Sequence, residues 1–324
     1  MDLSRKRIYI AGSSGMVGSA VTRALRQKGC KDLVLRRSSE LDLRRQVAVE
    51  KFFADEKPEI VVLAAARVGG ILANSTYRAD FIYENLVIET NVIEAARRSG
   101  VEKLIFLGSS MVYPADCPQP IDEGSLLTGD FEPVNEPYAI AKVAGLKLCE
   151  NYYRQYGCNF YTAIPTNLYG ENDNFDLTSS HVIPALIRKF HDAKTSEATT
   201  VEVWGTGSPK REFLYADDLA DAIVFLLENV DVRDLVDTGV YHINVGSGIE
   251  ASIKELAEMI ARTVGFTGSI AFDTTKPDGA PRKLLDHSRI NKFGWSSKTD
   301  LEAGLRSAYE WYLAARASEA GVRG

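Results

Sequence analysis

Short apolar runs alternate with stretches of helical periodicity through the first half of the chain. The runs cover residues 7–12, 32–37 (ending in two arginines), 60–66, 103–109 and 160–165, and their length predicts strands. Between them, apolar positions recur at three- and four-residue spacing, which predicts helices over 19–29, 43–54, 78–98 and 137–156. Strand and helix in alternation predict an α/β fold, a doubly wound parallel sheet with helices on both faces. The carboxyl edge of that sheet would carry Gly12, Ala64, Ala65, Ala66, Ser109, Pro165, Thr166 and Asn167 together. Ligands of open α/β sheets bind at that edge.

After Gly170 the pattern changes. Residues 171–177 are polar and turn-rich, 181–191 reads as a short helix, and 201–204 and 212–215 read as short strands. A helix over 217–228 and a strand over 241–245 are expected to return to the sheet. A helix over 252–264, a polar segment over 273–282 and a last helix over 301–315 complete the chain. The expected organisation is a nucleotide-binding domain over 1–170, with return segments near 212–247. A smaller, discontinuous substrate-binding lobe would occupy 171–324. No internal repeat or low-complexity tract is visible.

Composition narrows the function. The 324 residues are 45% hydrophobic, enough for one large domain or two unequal ones. The net charge of −6 and the lack of a basic block argue against nucleic acid as a partner. No apolar run approaches the roughly 20 residues of a membrane span. The first strand begins near residue 7, which leaves no room for a signal peptide. The four cysteines, Cys30, Cys117, Cys149 and Cys158, show neither paired nor metal-type spacing. A cytoplasmic protein without disulfides or a metal is expected, with Cys149 in the core.

Two constellations carry chemistry. The first is Gly12-Ser13-Ser14-Gly15-Met16-Val17-Gly18, between the first strand and the first helix. Glycines there allow a tight turn and let backbone approach a pyrophosphate, which the helix N-terminus then favours. The spacing is Gly-x-x-Gly-x-x-Gly. At the end of the second strand, an acidic residue would bind the ribose 2′-hydroxyl of NAD. Arg36 and Arg37, followed by Ser38 and Ser39, suit the 2′-phosphate of NADP(H) instead.

The second constellation is Tyr138 and Lys142, one helical turn apart, downstream of Gly108-Ser109-Ser110. With fourteen tyrosines in the chain, a Tyr-x-x-x-Lys arises by chance about 0.7 times, so its weight comes from context. Spacing of four places both side chains on one helix face. An ammonium beside a phenol favours phenolate, so Lys142 is expected to draw the Tyr138 pKa toward neutrality. Such a tyrosine can protonate a carbonyl oxygen as hydride reaches the carbon. Ser109 or Ser110 could hydrogen-bond the same oxygen.

Narrower segments extend this pattern. They include Leu-Ala-Ala-Ala-Arg-Val-Gly-Gly at 63–70, Asn-Glu-Pro-Tyr-Ala-Ile-Ala-Lys at 135–142 and Pro-Thr-Asn-Leu-Tyr-Gly at 165–170. Ser-His-Val-Ile-Pro-Ala-Leu at 180–186, Val-Trp-Gly-Thr-Gly-Ser-Pro-Lys-Arg-Glu-Phe-Leu at 203–214 and Lys-Pro-Asp-Gly-Ala-Pro-Arg-Lys-Leu-Leu-Asp at 276–286 follow. Together these motifs resemble the extended short-chain dehydrogenase/reductase family. Within it they resemble the GDP-L-fucose synthases, NADPH-dependent epimerase/reductases of a GDP-4-keto-6-deoxy sugar. The resemblance implies a Rossmann-type sheet with a smaller C-terminal lobe, NADP(H) as cofactor, a GDP-linked keto-sugar as substrate and a homodimer.

By resemblance, Ser109, Tyr138 and Lys142 form the reductase triad, and His181 is a further acid/base that also lies by the cofactor. Cofactor contacts are implied for Gly12, Ser14, Gly15, Met16, Val17, Gly18, Ser38, Leu41, Asp42 and Leu43. They are implied also for Ala64, Ala65, Leu107, Gly108, Pro165, Asn167 and Leu168. Lys189, Trp204, Arg211 and Asp278 match GDP-sugar contacts, and Ser110, Met111, Asn167, Val182 and Lys283 join them as the substrate-facing set. One position departs. The family usually has a cysteine after the paired serines, serving as acid/base in epimerisation; Met111 stands here. A thioether has no proton to give and accepts weakly. The reductase apparatus is thus intact while half of the epimerase apparatus is missing.

Overall fold

The computed structural model describes residues 1–236, 239–276 and 278–318. Pro277 of the Lys-Pro-Asp-Gly segment and the end of the expected lobe, 319–324, lie outside the described residues. The first half runs β1 (Ile8–Ala11), α1 (Met16–Gln27), β2 (Leu33–Leu35), α2 (Gln46–Glu56), β3 (Ile60–Leu63), α3 (Ile71–Thr76), α4 (Arg78–Arg98), β4 (Lys103–Leu107), α5 (Glu136–Tyr156) and β5 (Phe160–Pro165). The second half runs β6 (Asn167–Tyr169), α6 (Val182–Thr195), β7 (Thr200–Trp204), β8 (Lys210–Tyr215), α7 (Ala216–Asn229), β9 (His242–Val245), β10 (Glu250–Ser252), α8 (Ile253–Val264), β11 (Ser269–Asp273), β12 (Arg282–Lys283), α9 (Ser288–Phe293) and α10 (Leu301–Ala317).

Six parallel strands form the main sheet in the order β2-β1-β3-β4-β5-β9. Strands β1, β3, β4, β5 and β9 are buried at every position, because helices cover both faces. Helices α1 and α7 pack together on one face; α2, α4 and α5 cover the other. The doubly wound α/β sheet expected from the alternation is therefore present, and β9 returns to it as expected. The order reverses between β1 and β3, so the carboxyl ends of β1 and β3 flank a crevice.

A second, four-stranded sheet joins β10, β8, β12 and β6, with β7 and β11 as a separate pair. Its apolar cluster draws on α6, α8, α10, β7 and β8, including Ile187, Phe190, Phe213, Leu256 and Tyr312. Residues 212–215 lie in this sheet, not the main one. Among the described residues no helix is long and apolar enough to cross a membrane.

One boundary corrects the sequence reading. α1 begins at Met16, not at residue 19, so Gly18 is inside the helix. Glycine normally weakens a helix interior. Here it is required, because a Cβ at position 18 would lie 2.1 Å from the Gly12 carbonyl oxygen.

Candidate active site

The glycine loop fits a dinucleotide on steric grounds. Gly12 has φ +84°, and a Cβ there would sit 2.8 Å from the Ala65 amide nitrogen. The amide of Gly15 donates to the Gly12 carbonyl at 3.0 Å, closing a turn that ends at the N-cap of α1. Gly15 offers no side chain to cap that end, so its amides are left for an anion. Met16 and Val17 are half-buried beneath the loop, and Ser14 is exposed on it. Ala64 donates its amide to Ala11 at 3.0 Å and Gly108 to Ala163 at 2.9 Å, holding the ends of β3 and β4 beside the loop. Leu107 and Pro165 end their strands at this edge.

The two arginines beyond β2 part company. Arg36 folds back: its guanidinium pairs with Glu56, donates to the Leu35 carbonyl at 2.8 Å and lies over the Phe52 ring. Arg37 is exposed, and among the described residues its guanidinium has no ion-pair partner. Arg37 and the exposed Ser38 are therefore the groups open to a 2′-phosphate. Leu41 and Leu43 are buried apolar wall, and Asp42 is held below the usual carboxylate range by its hydrogen bond from Arg44.

Tyr138 and Lys142 stand at the amino end of α5. The Ser109 side chain favours the ionised form of the Tyr138 phenol, the weakest of the influences on its pKa. Ser109 Oγ also accepts from the Met111 amide at 3.3 Å, in a single 3₁₀ turn over Ser110–Val112. Phe81 meets Tyr138 edge-on at 6.5 Å. The Lys142 ammonium lies 5.9 Å from the Tyr138 ring centre, 4.5 Å from that of Phe106 and 2.9 Å from a Glu89 carboxylate oxygen.

This geometry corrects the expected titration. The Tyr138 pKa is raised, not lowered: burial is the largest influence, and Glu89 works against the ammonium of Lys142. Burial opposes the Lys142 charge too, yet Glu89 and Tyr138 together lift its pKa above the ordinary lysine value. Glu89 is the functional candidate that the sequence reading missed. Its signal was available: Phe81, Asn85, Glu89, Val92 and Ala96 share one stripe of α4, and all are buried.

Met111 links this corner to the second lobe. Lys283, buried on β12, directs its ammonium at Met111 Sδ at 3.5 Å. Among the described residues it has no carboxylate within ion-pair distance, and burial lowers its pKa to about 8. Arg211, its neighbour in register on β8, donates to the Ala280 carbonyl at 2.6 Å. Trp204 is 54% exposed, with the ammonium groups of Lys189 and Lys276 at 5.5 and 5.6 Å from its ring centre. Lys189 also donates to the Glu202 carbonyl at 3.1 Å. Such a ring between cations suits a flat base carrying anionic phosphates. Asp278 is committed to the adjoining turn, accepting from the Thr206 amide at 2.9 Å and hydroxyl at 2.7 Å.

His181 is the N-cap of α6, its imidazole making no capping bond. It is exposed, and desolvation by the surrounding protein lowers its pKa below the ordinary imidazole value. Val182, half-buried, follows it. The amide of Gly70 donates to Ser179 at 2.8 Å, and Gly69 abuts Phe81, which joins this segment to the Tyr138 wall. Asn167 donates its side-chain amide to the Glu212 carbonyl at 2.9 Å and Leu168 packs on the main core, so both brace β6 against β8. Ser110 is buried, with 3% of its surface exposed. Cys149 is buried in the core and its thiol pKa is raised by burial.

Comparison with known proteins agrees with this architecture. The profile of the NAD dependent epimerase/dehydratase family matches residues 8–267. A GDP-L-fucose synthase of Sinorhizobium fredii is 56% identical over 311 residues, covering 96% of each chain. The crystal structure of a GDP-6-OMe-4-keto-L-xylo-heptose reductase from C. jejuni superposes with a TM-score of 0.91 at 41% identity, covering 96% of this chain and 98% of that one. A GDP-mannoheptose C4 reductase from Campylobacter jejuni with NADP bound superposes with a TM-score of 0.87 at 42% identity, covering 96% and 99%. With the family profile matched over residues 8–267, this chain belongs to the NAD dependent epimerase/dehydratase family.

Proposed function

We propose that the chain is an NADPH-dependent oxidoreductase that reduces the C4 ketone of a GDP-linked 4-keto-deoxy sugar, with 3,5-epimerisation impaired. Residues 1–170, with returns in α7 and β9, would serve the cofactor; the rest of 171–324 would serve the sugar nucleotide. The carrying observation is the succession Tyr138, Ser109, Met111, Lys283: a proton donor for a ketone oxygen is built, and the adjoining position holds a thioether. The relatives named as GDP-sugar C4 reductases and GDP-L-fucose synthases support this reading, as does the one found with NADP.

Bound NADPH supplies hydride to C4. The chain's residues do the rest. Ser109 hydrogen-bonds the ketone oxygen and Tyr138 gives it a proton, so the ketone becomes an alcohol while NADPH becomes NADP+. Lys142 holds its charge beside the phenol and orients the ribose. Trp204, Lys189 and Arg211 grip the GDP portion. Positioning of this kind supplies about 7–11 kcal/mol of barrier lowering in well-oriented systems. Four free cysteines suit a reducing cytoplasm. The exposed Tyr83 on α4 and Ile140 on α5 supply apolar surface for a homodimer.

A second reading, the full epimerase/reductase that makes GDP-L-fucose, has its own observation. Lys283, with its pKa lowered to about 8, and His181, with its pKa lowered by desolvation, could between them move protons at C3 and C5 without a cysteine. Product NMR in D2O with GDP-4-keto-6-deoxy-mannose and NADPH separates the two. A C4-reduced product without deuterium at C3 and C5 upholds the dedicated reductase; GDP-L-fucose labelled at both carbons sinks it. A chain that binds NADPH tightly but turns over no keto-sugar would be a dinucleotide sensor instead.

A further inference from the structure

We infer that Glu89 is a positioning residue of the proton-donating pair, the counter-ion that keeps Lys142 and Tyr138 both protonated and sets the corner to give a proton, not to take one. This deepens the reductase reading and rests on it.

The geometry is specific. Glu89 is 1% exposed and Lys142 2%, and they pair at 2.9 Å. Beyond that ion pair neither Glu89 oxygen meets a hydrogen-bond donor among the described residues. A carboxylate in such a place is costly unless its charge is compensated, and Lys142 is what compensates it. The neighbouring helix makes room for it. At Gly145, one turn beyond Lys142, a Cβ would lie 2.8 Å from a Glu89 oxygen and 2.7 Å from the Phe106 ring. Glycine there is helix-weakening by propensity but admits the carboxylate.

The groups around the pair come from every neighbouring element. Tyr138, Lys142 and Cys149 face it from α5, the Phe106 ring from β4 and Ser109 from the turn after β4, with Thr162 of β5 behind Cys149. Among the described residues Glu89 is the only carboxylate acting on Tyr138 or Lys142. Burial raises the Glu89 pKa and the ammonium opposes that rise. Removing its negative charge must make the first proton of the pair easier to lose, whether it leaves the phenol or the ammonium. The anion therefore biases the corner toward carbonyl reduction, which consumes the phenolic proton.

The test needs no keto-sugar. Protein carrying [ζ-13C]tyrosine is titrated by NMR, the Tyr138 signal being identified by its loss in Tyr138→Phe. In the natural protein Tyr138 should titrate above the ordinary phenol value of about 10. In Glu89→Gln the first transition sensed by that signal should fall by at least about one pH unit, a tenfold loss of proton affinity. Glu89→Asp keeps the charge and should stay closer to the natural protein; it also serves if Glu89→Gln fails to fold. An unchanged midpoint in Glu89→Gln, or a natural midpoint below the ordinary value, overturns the inference. Parallel NADPH oxidation with GDP-4-keto-6-deoxy-mannose separates failures. No turnover by the natural protein sinks the reductase reading, while the titration still decides Glu89.

Discussion

The corner around Tyr138 and the face around Trp204 handle charge in opposite ways. At the corner, Lys142 and Glu89 are sealed at 2% and 1% exposure, and each limits what the other can do. Around Trp204, a half-exposed ring is flanked by the half-buried Lys189 and the exposed Lys276. A charge in a dry site acts strongly on its neighbour, since the effective dielectric is low. A charge beside water is screened, so it attracts an anionic ligand and lets it leave. The molecule thus divides proton chemistry from substrate grip, and Met111 with Lys283 lies where the two meet.

Perturbing each side should give a different kinetic signature. The largest effect is expected from Tyr138→Phe, which should lower the reduction rate by about 10²–10⁴-fold with NADPH affinity kept. Stopped-flow NADPH oxidation measures it, and an undiminished rate would remove Tyr138 from the chemistry. Trp204→Ala should raise KM for the GDP-sugar roughly tenfold, from about 1–3 kcal/mol of lost stacking, with kcat little changed. A fall in kcat alone would merge the two regions.

Lys283 offers a sharper probe, because its ammonium is present below pH about 8 and lost above it. If that charge holds the substrate, kcat/KM should fall as pH rises through that value. Lys283→Met should then give a lower profile with no inflection there. An inflection that survives the substitution belongs to another group. The smallest rate effect is expected from Met111→Cys. Its thiol would sit beside the same ammonium, which favours thiolate. Deuterium entering C3 and C5 in this variant, and not in the natural protein, would mark position 111 as the divide between reductase and epimerase.

Much of this was legible in the sequence. Strands β1, β3, β4 and β5 are continuous apolar runs because both faces of the sheet are covered, and such runs need no partner to be recognised. Tyr138 and Lys142 are visible because helical spacing alone brings them together. What spacing could not supply was Glu89, which reaches Lys142 from a helix 53 positions earlier in the chain. Burial, with Glu89 adding to it, reverses the pKa direction expected from Lys142 by itself. Arg36 is similar: an arginine at a strand end reads as a phosphate ligand until Glu56 is seen to hold it. The brief strands β6, β10 and β12 have two or three residues each and no periodicity to read. They exist because β8 offers them an edge.

That edge has a consequence for how the molecule is made. β8 pairs with β6, β10 and β12, drawn from residues 167–169, 250–252 and 282–283. Pairings so far apart along the chain form slowly, and synthesis delivers the amino-terminal part first. A growing chain of some 170 residues already contains the glycine turn, the Ser-Tyr-Lys corner and five strands of the main sheet. Lys283 emerges more than a hundred residues later, on the last strand to join. The nascent protein can therefore assemble its redox half long before it has any means of choosing a sugar.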